Sequence, residues 1–194
     1  MGIIDEELAK EFLDDPDNVD LSEATEITIA ATVYLSNHKG YWDLILNGVT
    51  KLSDAAAESL SKHNGNIGLN GLTELSDATA ESLCKHEGNI LELNGLNKLS
   101  DAAAKALSKH QGGLYLNGLI KLSDAAAESL SKHQGGELNL DSLTNISDAA
   151  AESLSKHEGE IIFEYPTELS FDAAESLGLD PYTLDKIDNQ DDSF

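Results

Sequence analysis

Arginine is absent from this sequence, and bases of any kind are few: 12 lysines stand against 36 acids, for a net charge of −24. Binding to nucleic acid rests on basic groups that neutralise phosphate, with arginine the usual reader of guanine edges, so the composition excludes that class of function. Anionic membrane surfaces are excluded on the same ground. A surface this acidic keeps a protein soluble and favours basic partners or cations. Cysteine is scarce as well. Cys84 stands alone, so no internal disulfide can form, which fits a reducing compartment. No apolar run approaches the length of a membrane span. Met1-Gly2-Ile3-Ile4-Asp5-Glu6 lacks the basic region and apolar run of a signal peptide, and Glu6 stands where a myristoylation signal has Ser or Thr. A cytoplasmic location is expected. There is no phosphate-binding loop, HExxH or CxxC.

What the sequence has in abundance is itself. The phrase LNGLxxLSDAAAESLSKHxG recurs almost verbatim, and aligning the second leucine of each LxL gives Leu21, Leu46, Leu69, Leu93, Leu116, Leu140 and Phe163. The spacings are 25, 23, 24, 23, 24 and 23 residues, so seven copies fill residues 18–178. A fixed period of this size is the mark of a solenoid, and each copy changes period internally. Leu44-Ile45-Leu46-Asn47 and Leu114-Tyr115-Leu116-Asn117 alternate as a strand with one buried face. Ser-Asp-Ala-Ala-Ala-Glu-Ser-Leu then supplies an N-cap, an acid for the first turn and strong helix formers. The Gly two residues after each His (Gly65, Gly88, Gly112, Gly135, Gly159) marks the helix end. The predicted fold is α/β: a solenoid of seven β-α coils, with a parallel sheet on one face and short helices on the other. Stacking would put Leu35, Leu60, Leu83, Leu107, Leu130, Leu154 and Leu177 in one column, and the Leu44 and Leu52 positions in two more. No single coil can bury its apolar face alone, so the array folds as a stack. Residues 1–17 read as an N-terminal helical cap with Ile4, Leu8 and Phe12 on one face. Residues 179–194 read as an acidic C-terminal cap or tail, and Glu160, Glu164 and Pro166 as guards of the last strand's open edge.

These columns resemble the leucine-rich-repeat superfamily over about four-fifths of the chain. More narrowly, LSDAAAESLSKHxGxLxLNGL is similar to an atypical tandem repeat of environmental bacteria. Matching the superfamily's two strand leucines to Leu44 and Leu46 puts its ladder asparagine at Val49, so the usual buried asparagine ladder is not expected. Asn47, Asn70, Asn94 and Asn117 fall instead on the exposed strand face. The superfamily resemblance implies protein recognition on a concave sheet; the narrower one implies no activity.

All six histidines (His38, His63, His86, His110, His133, His157) share one repeat position and form a ladder at one helix edge. A metal site needs a few convergent ligands, and uniform repetition favours capping of backbone near the helix end instead. Ser53 and Asp54 begin a helix that His63 ends, about 13–15 Å away by helical rise, so no catalytic triad forms within a coil. Asp15, Asp17 and Glu26 only faintly echo a calcium loop, because Asp20 replaces its glycine. No enzyme, cofactor or metal is expected. Function belongs on the exposed strand face, where the repeat varies most: Asp20, Ile45, Gly68, Glu92, Tyr115, Asn139 and Ile162. The expected contact residues are Trp42, Ile45, Ile90, Glu92, Tyr115, Asn117 and Asn139, holding a protein with a basic or polar surface. Tyr41-Trp42 is an insertion before the second strand, and an aromatic beside a polar face suits a hot spot. The rival expectation is a structural, self-associating array, with divalent cations screening its charge.

Overall fold

The structure, a computed structural model, describes residues 2–37, 43–163 and 170–178. It opens with strand β1 (Gly2–Ile4), helix α1 (Glu6–Asp14), β2 (Ala24–Ile27) and α2 (Ile29–Asn37). A regular alternation follows: β3 (Leu44–Ile45), α3 (Asp54–Leu60), β4 (Ile67–Gly68), α4 (Asp77–Leu83), β5 (Ile90–Glu92) and α5 (Asp101–Leu107). It continues through β6 (Gly113–Tyr115), α6 (Asp124–Leu130), β7 (Glu137–Asn139), α7 (Asp148–Leu154), β8 (Glu160–Ile162) and α8 (Phe171–Ser176). Strands β3 to β8 form one parallel sheet in chain order, and each helix packs on the next from α1 to α8. The α/β solenoid expected from the repeat is what the chain forms.

Local chemistry sets each coil. The serine before every helix from α3 to α8 accepts the backbone N–H three residues on; Ser53 takes it from Ala56 at 3.2 Å and Ser123 from Ala126 at 3.0 Å. The paired alanines of α3 and of α5 to α8 are buried, as are Thr79 and Ala80 of α4, because a larger side chain would hold the helix off the sheet. Leu44, Ile67, Leu91, Leu114 and Leu138 line the sheet's inner face. Leu35, Leu60, Leu83, Leu107, Leu130 and Leu154 meet them from the helices, all fully buried. The Leu52 column is only partly buried until Ile146, since it turns the corner between strand and helix.

The repeat glycines do something other than end helices. Among the described residues only Gly136 and Gly178 have positive φ. The helices close instead through right-handed Ser61, Cys84, Ser108, Ser131 and Ser155. Gly88, Gly112, Gly135 and Gly159 are needed for close approach: a Cβ on Gly112 would lie 2.6 Å from the Gly88 carbonyl oxygen, and one on Gly135 would overlap the Gly112 carbonyl. Gly48, Gly71, Gly95 and Gly118 form a second such column, each within 2.6–2.7 Å of a carbonyl oxygen of the preceding coil by the same construction.

The N-terminal end departs from expectation in two ways. Val19-Asp20-Leu21 is not a strand. Asp15 takes the Asn18 side-chain amide on its carboxylate and the Val19 N–H on its backbone carbonyl, and Asp20 turns its carboxylate onto the Ser22 N–H at 2.8 Å. Short polar side chains that bond local backbone compete with the sheet ladder, and here they win. The coil keeps its place through Leu21 and Ala24, both buried, while its extended segment is β2, paired in parallel with β1. The expected cap helix is also shorter than 1–17. Ile4 lies in β1, opposite Ile27, and Ala9 and Phe12 are the buried residues of α1, with Leu8 partly buried against the core. Asp5 caps α1 by accepting the Leu8 N–H, as Ser53 caps α3. Ile4-Asp5 through Phe12 therefore matches Leu52-Ser53 through Leu60 position for position. The cap is the helical half of another coil.

Candidate functional site

Parallel pairing carries one row of side chains across the outer face of the sheet: Ile45 beside Gly68, Gly68 beside Glu92, Glu92 beside Tyr115, Tyr115 beside Asn139 and Asn139 beside Ile162. Four of the expected contact residues, Ile45, Glu92, Tyr115 and Asn139, are thus in line. Ile45 is 40% exposed, Glu92 and Tyr115 are half-buried, and Asn139 is buried, its Oδ1 accepting the Asp141 N–H at 3.2 Å. Ile90 is half-buried in the neighbouring row, opposite Gly113. Glu137 and Glu160, paired in register on β7 and β8, stand beside Tyr115. Glu137 accepts the tyrosine's hydroxyl proton in a hydrogen bond. That bond, with partial burial and the negative charge of Glu137, Glu92 and Glu160, pushes Tyr115 up to about 12. No strand of the six carries a lysine. The face is acidic, with Ile45, Ile90, Tyr115 and Ile162 as its apolar or aromatic points. Trp42 lies outside the described residues, as do His38, Glu164 and Pro166.

Asn117 belongs to a different device. Asn47 Oδ1 accepts the Asn70 N–H at 3.1 Å, Asn70 Oδ1 the Asn94 N–H at 2.9 Å, and Asn94 Oδ1 the Asn117 N–H at 3.0 Å. A half-buried asparagine ladder therefore exists, two positions before the place where the superfamily consensus would put one. It ends at Asn117, whose Oδ1 is shielded and unpaired because Asp141 turns its N–H to Asn139. Asn70 also donates to Glu92 at 2.8 Å, tying the ladder to the acidic row. Asn47 explains Gly68: a Cβ there would meet Asn47 Oδ1 at 2.8 Å, so the row is flat between Ile45 and Glu92.

The Ser-Asp pair of each repeat also links coils. Ser76 donates its hydroxyl to Asp54 at 3.0 Å, Ser100 to Asp77 at 2.5 Å, Ser123 to Asp101, Ser147 to Asp124 and Ser170 to Asp148. One hydroxyl thus caps its own helix and ties it to the helix before. The signal was in the sequence, since Ser and Asp recur at equivalent heights of adjacent coils. Two i,i+4 ion pairs close on the repeat helices, Lys132–Glu128 at 2.8 Å and Lys156–Glu152 at 3.0 Å, both well exposed.

The described histidines form a stack. Ring centroids from His63 to His157 lie 5.5–6.5 Å apart, with planes within 7–21° of parallel. His86, His110 and His133 are at most 2% exposed. His86 Nε2 bonds the Gly65 carbonyl at 2.8 Å and His133 Nε2 the Gly112 carbonyl at 2.9 Å, so backbone is the partner as expected, but it belongs to the preceding coil. Among the described residues no group of three or more His, Cys, Asp or Glu side chains converges to hold a metal ion. Burial of Cys84 pushes its thiol up.

A further surface escaped the sequence reading. Ile29 and Val33 of α2, 52% and 42% exposed, occupy the positions of Asp54 and Glu58 in α3. The interruption of the Asp-Glu pattern was the signal available. No described helix is long and apolar enough to cross a membrane. No family model matches the chain, and neither does any curated protein.

Proposed function

We propose that this protein is a non-catalytic binding module that holds a protein partner of basic or polar surface on the outer face of its sheet. The observation that supports the reading most is the segregation of charge: Glu92, Glu137 and Glu160 surround Tyr115 on a sheet whose strands carry no lysine. Carboxylates around an aromatic anchor suit lysine and arginine side chains, and charge complementarity of this kind governs partner choice and association rate. The resemblance to leucine-rich repeats, which recognise proteins on a concave sheet, points the same way by analogy of fold. The test compares wild type with a Glu92→Lys/Tyr115→Ala/Glu137→Lys variant shown by circular dichroism to be folded. Partners captured from native lysate, then titrated as purified proteins, should bind wild type more weakly as salt rises. They should lose at least about tenfold in affinity for the variant. Equal binding to both proteins would move the site off this face.

Self-association is the alternative, favoured by one observation: the exposed Ile29 and Val33 on α2. Light scattering across protein concentration, with and without Ca²⁺, would show mass growth in wild type. The Ile29→Asp/Val33→Glu variant, which restores the residues of the other coils, would abolish it.

A further inference from the structure

Five imidazoles in one buried stack are unlike anything else in this chain. Among the described residues no other titratable side chain is buried, yet here groups that ordinarily titrate near neutrality sit face to face, four of the five rings buried and His157 half-buried. Each proton added to such a stack must be taken out of water and placed beside other imidazoles. The groove over His86 is lined by Lys85, Lys109, Glu81, Glu87, Cys84 and Gln111. The groove over His133 carries Lys132, Lys156, Glu158 and Gln134. His157 faces Leu154, Ile161, Phe163 and Leu177, which are apolar. Lysine precedes every described histidine, and no carboxylate is ion-paired with His86, His110, His133 or His157. His110, fully buried, makes no hydrogen bond of normal geometry through either ring nitrogen.

We propose that His86, His110 and His133 form a proton-operated latch: the middle coils close over these rings only while the rings are uncharged, and acid opens the helix-end edge of the solenoid there. Burial, the larger cause, pulls both His86 and His110 from the ordinary 6.5 down to about 4, against the small upward pull of a backbone carbonyl; neighbouring imidazoles pull the same way. Burial also lowers His133, with the Gly112 carbonyl opposing. The sign follows from linkage. A histidine held below its unfolded value binds protons more readily when unfolded, so stability is complete above about pH 6.5 and is lost as pH falls toward 4. Between pH 7.5 and 5.5 the unfolding constant rises about tenfold for each of His86 and His110, about a hundredfold together. The chain's net negative charge works in the opposite direction. Protonating carboxylates relieves self-repulsion and stabilises the fold as pH falls, so the two effects are told apart by sign.

The experiment measures urea unfolding of wild type, His110→Phe and His110→Gln at pH 7.5, 6.5 and 5.5, together with NMR titration of the imidazole Cε1–H signals. His110→Phe keeps a ring in the stack and forfeits no hydrogen bond of normal geometry. Expected are a wild-type midpoint that falls with pH, a pH dependence about tenfold smaller in both variants, and a His110 signal still neutral at pH 5.5. A wild-type midpoint that is flat or rising over this range would overturn the proposal. So would variants that keep the full wild-type dependence, or a His110 ring that titrates near 6.5. Should both variants fail to fold, the wild-type titration decides alone.

Discussion

The middle of this solenoid and its N-terminal end share one register but are held together differently. From α4 onward, every helix start is tied to its predecessor by serine and aspartate, and β3 to β6 are further joined by asparagines. The coil of α2 has Thr28-Ile29 where those of α3 to α7 have Ser-Asp, and Ser22 where those of α3 to α6 have Asn. Ser53 accordingly caps α3 with no aspartate behind it. What joins this coil to the next is apolar burial and the Thr50 N–H bonded to the Thr25 carbonyl at 3.1 Å. The contrast teaches that equivalent apolar columns suffice to stack coils. The polar ladders, which need complementary residues at two heights at once, add regularity to the stack, and where they stop the chain is free to drop a strand.

Six substitutions would break or sharpen that contrast. Leu116→Ala, in the fully buried column of the middle, is expected to cost about 2–5 kcal/mol. Leu21→Ala, next to the strandless turn, should cost less because the site can collapse; equal urea midpoints for the two would mean that the end coil is as rigid as the middle. Gly118→Ala should cost about 1–3 kcal/mol, since its Cβ would press on the Leu96 carbonyl oxygen of the coil before, and a neutral result would show that the coils can move apart. Ser123→Ala removes a cap and a rung together, and about 1–2 kcal/mol is expected. Ser53→Ala, which removes the cap alone, should cost measurably less in the same denaturation assay. Smallest of all, Lys132→Ala breaks only an exposed ion pair and should shift stability by under about 0.5 kcal/mol, within the scatter of a thermal melt.

Much of this was legible because a near-verbatim repeat fixes which residues stack. The helices, their serine caps, the core columns and the outer row from Ile45 to Ile162 all follow from period and alternation. The missing first strand was harder to read, because Val19-Asp20-Leu21 has the right alternation; only geometry shows that the Asp15 backbone carbonyl takes the Val19 N–H and the Asp20 carboxylate the Ser22 N–H instead. The repeat glycines were legible only as markers of the helix end, since a sequence displays the absence of a side chain but not the carbonyl oxygen that would collide with one. The N-terminal half-coil was hidden by its residues. Asp5 replaces Ser and Phe12 replaces Leu, and the likeness emerges only when Ile4 is seen lying against Ile27.

By itself, then, the sequence determined the solenoid class, the handover from strand to helix in every coil and the acidic character of the sheet's outer face. These depend on periodicity, local propensity and composition, which are properties of the linear chain. The tertiary structure alone decided which polar groups would find one another between coils. It turned Ser-Asp and Asn from local caps and surface residues into ladders. It drew Asn139 inward, and it buried a row of histidines behind glycines that let neighbouring backbones approach. Those outcomes depend on the distance between coils, a quantity that exists only once the chain has stacked.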